Sequence, residues 1–519
     1  MEGRVAQGRA ATGIPRSDPH WLDLLPSALI GAFLVAAALA AYWLPGSVRI
    51  YNHFVWQAAA FLDGQAAVPW PVPGNNFQDF FPLTDAAGNR TGFGLLPFPP
   101  LPAIVLMPFV ALWGLATDER AVSVVVGAID VGLCWWALGR LPIDRTVRLA
   151  VTIFFGFGTV LWYAAGLGTT WFFAHVVAIA PLLAAVGLAL GGDRSFHADA
   201  VLPPEPAVDD REVDEPATEH RGAGGAAEDD GQGRPLGEVV AGALRAAVGE
   251  ALGGLRAPLA FIDRRQFAAG LLFGLACTAR LTIVFGAPFF MLVGSGGSLA
   301  RRSISAGLGA MIPVGLLLAY NVVTTGQLFH PGYEYLYQLE ARGYQALGYN
   351  PTWAIEDIRY LPQNLGIMFL STPAILPSHG LDAFGGATDP LCAAAGSARG
   401  LFDPACPIAI PKAIGMSIIL TSPAYLYLIP ALSRFGRSRL VAGAALAVAS
   451  IALVNLMHFS QGWVQFGYRF SNDFVVFALP LVALGMARRG GVGLLAGWLV
   501  GASVAINFWG MTWGNLFGW

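Results

Sequence analysis

Long apolar runs recur along this chain, and they constrain its fold more than any other feature of the sequence. Many of them reach the roughly 20 residues that a helix needs to cross a bilayer. Of the 519 residues, 55% are hydrophobic and only 12% are charged, which is about half the charged fraction of a soluble domain. Because such runs are too long for the strands of a membrane barrel, the sequence predicts an all-α polytopic membrane protein.

Arginine positions set the predicted orientation, because the cytoplasmic loops of membrane proteins are rich in basic residues. The basic segments fall on one side if the proline-rich run 98–114 and the short run 364–376 do not cross the membrane fully. This condition gives about eleven transmembrane helices, with the N-terminus inside and the C-terminus outside. The predicted spans are 24–44, 120–139, 148–166, 171–191, 266–279, 281–294, 304–324, 407–430, 440–458, 471–487 and 491–511.

The topology divides the chain into three parts. Residues 1–191 form an N-terminal transmembrane part with a long outer loop at 45–119, and residues 266–519 form a C-terminal part with an outer region at 326–406. Between them, residues 192–265 form a cytoplasmic insertion. Its first half is acidic and poor in apolar residues, which predicts disorder. Its second half has apolar residues at helical spacing, which predicts an amphipathic helix on the inner surface.

Composition also bears on location and partners. Lys412 is the only lysine in an arginine-, alanine- and glycine-rich chain, which suggests a high-GC bacterium and hence a bacterial plasma (inner) membrane. Membrane lipids are then obligatory partners. No basic arm or stripe is present, so the sequence gives no indication of nucleic-acid binding.

The first outer loop supplies a candidate general base. It begins with "YNHFVWQAAAFLDG" (51–64), whose apolar residues recur at helical spacing opposite Asn52, His53 and Gln57, which predicts an interfacial helix. Asp79 follows in an aromatic and proline-rich stretch, where apolar surroundings raise the basicity of a carboxylate. The alternative is a solvated loop aspartate. Asp85, in the turn-like "TDAAGN", fits a turn better than a base.

Two basic residues near the outer ends of predicted spans are candidate ligand-binding groups. Arg280 lies between two apolar runs, where a charge is costly, and is predicted to bind a phosphate or to form a structural ion pair. His175 lies one helical turn from Trp171. It could ligate a metal, contact a phosphate or hydrogen-bond a neighbour.

The stretch "GWVQFGYRFSND" (462–473) concentrates polar and aromatic residues between two apolar runs. Arg469 offers a planar fork for phosphate or carboxylate. Trp463 and Tyr468 could stack on a sugar or lie in the interfacial aromatic belt. Asp473, four residues after Arg469, is predicted to hold its guanidinium.

The layout of these features resembles the GT-C glycosyltransferases, in particular the branch of the protein O-mannosyltransferases and the lipid A aminoarabinose transferases. The similar features are the first span, the interfacial helix at 51–63, Asp79, the pair Pro99 and Pro100, and the basic inner turn at 140–148. The stretches "YNVVTTGQLFHPGYEY" and "GWVQFGYRFSND" also look like segments of this group. The resemblance covers most of the chain outside 192–265 and implies a GT-C-like architecture with interfacial helices in a long first outer loop.

The resemblance also implies an activity. Such enzymes transfer a sugar from a polyprenyl-phosphate carrier to an acceptor glycan, lipid or protein at the outer face of the membrane. Asp79 would deprotonate the acceptor, and Arg280 and Arg469 would neutralise the departing lipid phosphate. Asn52 and His53 stand where many relatives carry an acidic residue, so Asp79 does this work or transfer activity has been lost. No DxD motif is present, and the sequence therefore requires no divalent metal or other cofactor.

Two further classes of function stay open at this stage. A transporter or flippase for lipid-linked glycans would show internal repeats and polar residues at mid-membrane. No repeat is evident, and the polar residues gather at one face, which favours the enzyme. A non-catalytic binding subunit remains compatible with the missing early acidic residue.

Cysteine positions generate the first testable prediction. Cys134 and Cys277 lie in predicted spans, whereas Cys392 and Cys406 lie in the second outer region, on an oxidising side. We expect the outer pair to form a disulfide, so that both thiols react with an alkylating reagent only after reduction. Mass spectrometry of the labelled peptides checks this, and labelling without reductant would contradict it.

Overall fold

Helices make up most of the part of the chain that the structure describes, as the apolar runs predict. The computed structural model describes residues 25–44, 51–69, 79–193, 249, 261–332, 334, 350, 352–382, 385–393, 396–462, 464–487 and 492–517. Most of the 192–265 insertion, with its predicted disorder and amphipathic helix, lies outside these residues, as does Trp463.

The described residues of the N-terminal part form seven α-helices and a small sheet. The helices are α1 (Ser27–Trp43), α2 (His53–Leu62), α3 (Leu101–Trp113), α4 (Glu119–Leu138), α5 (Arg145–Phe157), α6 (Leu161–Leu167) and α7 (Thr170–Gly192). The strands β1 (Val68–Pro69), β2 (Phe81–Thr84) and β3 (Arg90–Leu95) form an antiparallel sheet in the first outer loop, in the order β1-β3-β2. This sheet carries the chain past Asp79 and back to α3.

The C-terminal part begins after the insertion. Its helices are α8 (Arg264–Cys277), α9 (Ala287–Leu292), α10 (Leu299–Thr325), α11 (Leu361–Leu370), α12 (Ile418–Thr421), α13 (Leu428–Leu432), α14 (Arg439–Met457), α15 (Ser471–Met486) and α16 (Leu494–Phe517). Short strands β4 (Ala374–Ile375), β5 (His379–Leu381), β6 (Ala387–Pro390) and β7 (Ala409–Ile410) pair as β4–β7 and β5–β6 in the second outer region. Cys392 and Cys406, the predicted pair, are joined there by a disulfide.

Several helices begin at residues whose side chains cap them. Asp118, Asp263, Ser298 and Ser438 each accept a hydrogen bond from the backbone N–H three residues on, at the starts of α4, α8, α10 and α14. Such caps satisfy N–H groups that the first turn of a helix leaves without partners. These starts are therefore encoded locally, next to the apolar runs.

The predicted eleven spans are not confirmed. Five described helices are long and apolar enough to cross a membrane, namely α4, α7, α10, α14 and α16, and the pair α5–α6, bent by 45°, makes a sixth if it is one span. The remaining apolar helices are shorter. The prediction for 98–114 agrees with the structure, since α3 has 13 residues with Pro108 inside.

The predicted span 407–430 is wrong. This segment starts as strand β7, continues without regular structure, and then forms α12, a 3₁₀ turn and α13. Pro411, Pro423 and Pro430 interrupt it. Because proline lacks the N–H that continues a helix, an apolar composition alone does not make this segment one rod.

The helix predicted from 51–64 forms as α2, but its polar face does not meet water. His53 is 3% exposed and Gln57 is fully buried, alongside the apolar residues of the same helix. The first outer loop and α3 cover this face, which hydrophobic spacing alone does not predict. Both sides of α2 therefore contribute to the interior.

Helices α4 and α7 lie side by side and run in the same direction. Gly187 of α7 packs directly on the ring of Trp136 in α4, and Gly168, just before α7, lies against Arg120 and Ser123. A Cβ at Gly168 would approach the Cα of Arg120 to 2.7 Å, and its φ of 59° is left-handed, which glycine adopts at no steric cost. This turn sets the start of α7 level with the start of α4.

Helices α8 and α10 pack with their backbones in contact. Gly270 and Gly274, spaced as in a GxxxG motif, face Ala306 and Ala310, while Gly309 faces the carbonyl of Phe267. Small residues at such spacing let membrane helices approach closely. The contact fixes the C-terminal part around α8, whose end carries Arg280.

Glycine substitution tests this packing. In the Gly270→Val variant the new side chain meets the carbonyl oxygen of Ala306, so we expect a loss of about 1–3 kcal/mol of stability. The matched control is Gly315→Val in the same α10–α8 pair, because a Cβ at Gly315 meets nothing within 4 Å. Thermal unfolding in lipid nanodiscs checks this, and equal midpoints for the two variants would contradict it.

Candidate functional site

Asp79 lies against the first turn of α7. The indole N–H of Trp171 donates a hydrogen bond of 2.7 Å to Oδ2 of Asp79. The backbone of Asp79 has a φ of 62°, a left-handed conformation that costs energy in residues other than glycine. The carboxylate is thus held in one direction by a neighbouring side chain and by a strained turn.

His53 lies beside this carboxylate. Its ring stacks on Phe80 with a centroid distance of 5.4 Å and lies 5.7 Å from the ring of Trp171. Its Nδ1 is 2.9 Å from Oγ1 of Thr170, the first residue of α7. The structure therefore brings together Asp79 and His53, two of the residues singled out in the sequence, at the start of α7.

Asp473 forms a second cluster one turn further along α7. Nδ1 of His175 lies 2.8 Å from Oδ1 of Asp473, whose side chain is fully buried. Trp171 and His175 are four residues apart, so they share a face of α7 and are separated by about 6 Å along its axis. The two clusters are stacked on one face of the helix.

Arg280 reaches Asp473 because the chain is broken between α8 and the next helical segment. Residues 278–280 are not helical, and Arg280 has extended backbone angles. Its Nε and Nη2 donate to the two oxygens of Asp473, at 3.1 and 3.0 Å. This is the side-on bidentate geometry favoured by arginine and carboxylate. The Arg280 side chain nevertheless remains 20% exposed.

Arg469 lies over the same aromatic ring as Arg280. The guanidinium carbon of Arg469 is 5.3 Å from the ring centre of Phe470 and 5.4 Å from that of Phe172, and that of Arg280 is 5.5 Å from Phe470. Cation–π contacts of this kind stabilise a guanidinium away from bulk water. Both candidate phosphate-binding arginines therefore flank one ring next to α7.

The described residues of the loop 462–470 pack around Arg469. Gly462 has a φ of 98°, and a Cβ there would lie 2.7 Å from Nε of Arg469. The side-chain amide of Gln465 accepts from the N–H of Arg469 and donates to the carbonyls of Gln461 and Ile414. These contacts hold the backbone at Arg469 in place.

Two predictions for this stretch need correction. Asp473 is paired with Arg280 and His175, not with Arg469, because Arg469 precedes α15, which begins at Ser471. The four-residue spacing therefore does not have helical geometry. Tyr468 is fully buried, so its ring has no face turned to a sugar in this conformation.

Sequence reasoning missed three polar groups. Thr282 and Asn455 donate to Oδ2 of Asp473, at 2.8 and 3.1 Å. Asn455 is a polar residue inside an apolar helix, which is a signal the sequence did contain. Glu119, at the start of α4, is 4% exposed, and its carboxylate oxygens have no hydrogen-bond partner among the described residues. Its helix places it level with Thr170.

An apolar cavity of about 520 Å³ is lined by helices of both the N-terminal and the C-terminal part. It lies between α2, α3, α8 and α10, and its lining includes Phe61, Leu101, Ile104, Thr278, Leu317 and Tyr320. Thr278 stands two residues before Arg280, and its carbonyl accepts from the N–H of Leu101. The cavity also reaches exposed apolar side chains of α10, such as Leu316 and Val323.

The described residues offer no group of three His, Cys, Asp or Glu side chains that could hold a metal ion. Asp85, in the turn between β2 and β3, accepts hydrogen bonds from the backbone of Asn89 and Ala87 and from the Asn89 side chain. Chiefly the bonds from Asn89 lower the pKa of this exposed carboxyl. Asp85 is thus a turn residue, and Asp79 is the aspartate of this loop directed at α7.

No protein-family model matches this chain, and no curated protein matches it. Among solved structures, it is similar to the oligosaccharyltransferase of Archaeoglobus fulgidus in its apo form, with a TM-score of 0.35 and 12% sequence identity. The similarity covers 96% of this chain and 56% of that chain, so this chain spans about half of the archaeal protein's length. An overlap this weak carries no argument about fold or activity.

The contribution of the Asp473 cluster to the stability of the fold can be tested by substitution. The Asp473→Asn variant removes the negative charge that pairs with Arg280. Removing one partner of a buried ion pair lowers the free energy of unfolding by about 3–5 kcal/mol. We expect a strongly lowered unfolding temperature, partly restored in the double variant Asp473→Asn/Arg280→Gln, since coupled residues are not additive. Asp389→Asn, at an exposed hairpin position, is the control. A loss in the double variant equal to the two single losses added together would show that the pair is not coupled.

Proposed function

We propose that this protein is a membrane glycosyltransferase that moves a sugar from a polyprenyl-phosphate carrier to an acceptor at the outer face of a bacterial plasma membrane. The observation that carries the proposal is the arrangement on α7. A carboxylate held by Trp171 and a cationic, aromatic cluster around His175 lie one helical turn apart. An apolar cavity is lined in part by Thr278, two residues before Arg280 in the chain.

Asp79 is the general base in this proposal. A general base has to lie within hydrogen-bonding distance of the proton that it removes and must be aimed at it. The bond from Trp171 to Oδ2 orients the carboxylate, and the carboxylate accepts the proton of an acceptor hydroxyl or amine. The acceptor oxygen or nitrogen then attacks the anomeric carbon, the bond to the carrier phosphate breaks, and the configuration at that carbon inverts.

Arg469 and Arg280 take the charge that this step develops. The leaving group is a lipid phosphate, and guanidinium groups match its oxygens in charge and geometry. Their electrostatic effect is largest where water is excluded, and both lie against Phe470 next to buried helix ends. The ion pair with Asp473 orients Arg280, so Asp473 is a positioning residue.

The apolar cavity suits the isoprenoid part of the carrier. Its walls are almost entirely hydrocarbon, and they include Thr278, two residues before Arg280 in the chain. A ligand with an anionic head and an apolar tail satisfies the cluster and the cavity together. A soluble nucleotide sugar would leave the cavity without a function.

Transfer is tested with purified protein in lipid and a panel of labelled polyprenyl-phosphate sugars, together with an outer-surface extract as acceptor. Asp79→Asn is expected to lower the rate by about 10²–10⁴, the range of general-base catalysis. Trp171→Phe removes the indole donor but keeps the ring, and we expect a loss of roughly tenfold or more in kcat, since hydrogen bonds to charged groups are worth about 1.5–3 kcal/mol. Asp85→Asn is the matched control and keeps wild-type activity.

The outcomes separate the alternatives. Equal transfer by Asp79→Asn and wild type would keep the enzyme and remove Asp79 as its base. Saturable binding of carrier without transfer of any sugar would favour a flippase or a non-catalytic binding subunit. Neither transfer nor binding would refute the proposal as a whole.

A further inference from the structure

The second outer region contains a folded lobe, which we define as residues 371–410 and call the disulfide lobe. Strands β4 and β7 pair at its base, with Ile375 opposite Ala409. The disulfide between Cys392 and Cys406 closes the middle of the lobe. Arg399 donates to the carbonyls of Pro377 and Pro407 and so joins its two sides. The lobe therefore has a defined shape outside the helical core.

One edge of the disulfide lobe is apolar and exposed. The large hydrophobic residues along it are Ile375 (63% exposed), Leu376 (57%), Leu401 (50%), Ile408 (40%) and Phe402 (37%). Strand pairing and the bond from the N–H of Leu376 to the carbonyl of Ile408 hold the backbones of Ile375, Leu376 and Ile408 next to one another at the base of the lobe. Exposed side chains of this size grouped on one edge indicate a surface that is covered in the native environment.

The far end of the lobe has the opposite character. Hairpin β5–β6 carries Asp382 and Asp389, and the residues of β6, including Thr388, are all exposed. The lobe is thus two-sided, with an apolar edge at its base and an acidic hairpin at its tip. A domain surrounded by water on all sides would not be expected to separate exposed apolar residues from acidic ones.

The apolar edge continues onto a helix that is long and apolar enough to span a membrane. The indole N–H of Trp513 in α16 donates to the carbonyl of Leu401, at 3.2 Å, and the ring of Phe402 lies 6.1 Å from that of Phe508. Phe508 is 51% exposed. It lies nine residues before the end of the 24-residue α16, which corresponds to about 14 Å along the axis.

The contact at Trp513 matches the membrane interface. A span of this length exceeds the roughly 30 Å of a bilayer core by about one turn. Trp513 lies four residues before the end of α16, about 6 Å along the axis, and tryptophan concentrates at membrane interfaces. Leu401 therefore contacts α16 near the boundary of the bilayer core, and Phe402 contacts Phe508 about 8 Å deeper, among the acyl chains.

We propose that the apolar edge of the disulfide lobe is seated in the outer interface of the membrane, with the lipids of the bilayer as its partner. Lipid covers the exposed face of α16 at Phe508, and the lobe's edge is continuous with that face. The acidic hairpin then stands in water. The pairing of β4 with β7 and the disulfide keep the edge oriented, so insertion requires no refolding of the lobe.

Site-directed spin labelling of the full chain in phosphatidylcholine–phosphatidylglycerol vesicles tests this. Single cysteines replace Ile375, Ile408 and, as the control on the hairpin, Thr388, in a background carrying Cys134→Ala and Cys277→Ala. Labelling is done without reductant, so the native disulfide persists. We expect labels at 375 and 408 to collide with oxygen several-fold more, relative to a water-soluble nickel chelate, than the label at 388.

Two results would overturn the proposal. Equal accessibility ratios at all three positions would put the lobe's edge in water. Shielding of 375 and 408 from both oxygen and the nickel chelate would mean that a protein surface, either another copy of this chain or a partner, covers the edge. Because two labelled positions lie on different strands, misfolding of one variant still leaves the other to decide. The result does not depend on whether the protein transfers sugars.

Discussion

Asp473 is a buried anion on which the arrangement of the helices around the start of α7 depends. It is fully buried, and five hydrogen bonds from His175, Arg280, Thr282 and Asn455 reach its two oxygens. These donors come from α7, from the segment that begins at Arg280, and from α14. Burying a carboxylate is costly unless every lone pair is engaged. The ends of separate helices therefore have to meet at this residue.

The same interaction determines where Arg280 and Arg469 lie. Arg280 lies in the non-helical segment after α8, and its side chain is bonded to Asp473. The guanidinium groups of Arg280 and Arg469 both pack on the ring of Phe470. On the neighbouring turn of α7, Trp171 holds Asp79. A structural ion pair and a binding site are thus not exclusive here, because Arg280 orients itself on Asp473 and still remains partly exposed.

The arrangement combines three requirements of chemistry on a lipid-linked substrate. The carboxylate of Asp79 accepts a hydrogen bond from Trp171, cations lie in an aromatic environment, and an apolar cavity is lined in part by Thr278, two residues before Arg280 in the chain. Each element alone has a common structural explanation. The directed carboxylate and the cations lie one helical turn apart on α7, and the proposed transfer rests on this proximity.

The sequence by itself determined the helical membrane class, because apolar runs of span length have few other solutions. It also located most helices, the short run around Pro108, the pairing of Cys392 with Cys406, and Asp79 and Arg280 as residues in unusual surroundings. These properties depend on composition and local spacing. They can be read without knowing which segments touch.

Only the tertiary structure decided the partners. Asp473 lies four residues from Arg469 but 193 from Arg280, and it binds the distant arginine because a turn, not a helix, separates it from the near one. The broken segment 407–430, the buried polar face of α2 and the position of Glu119 likewise depend on which neighbours cover them. Spacing along the chain carries no information about such contacts, since the energy of burying a charge is settled by the groups that surround it in space.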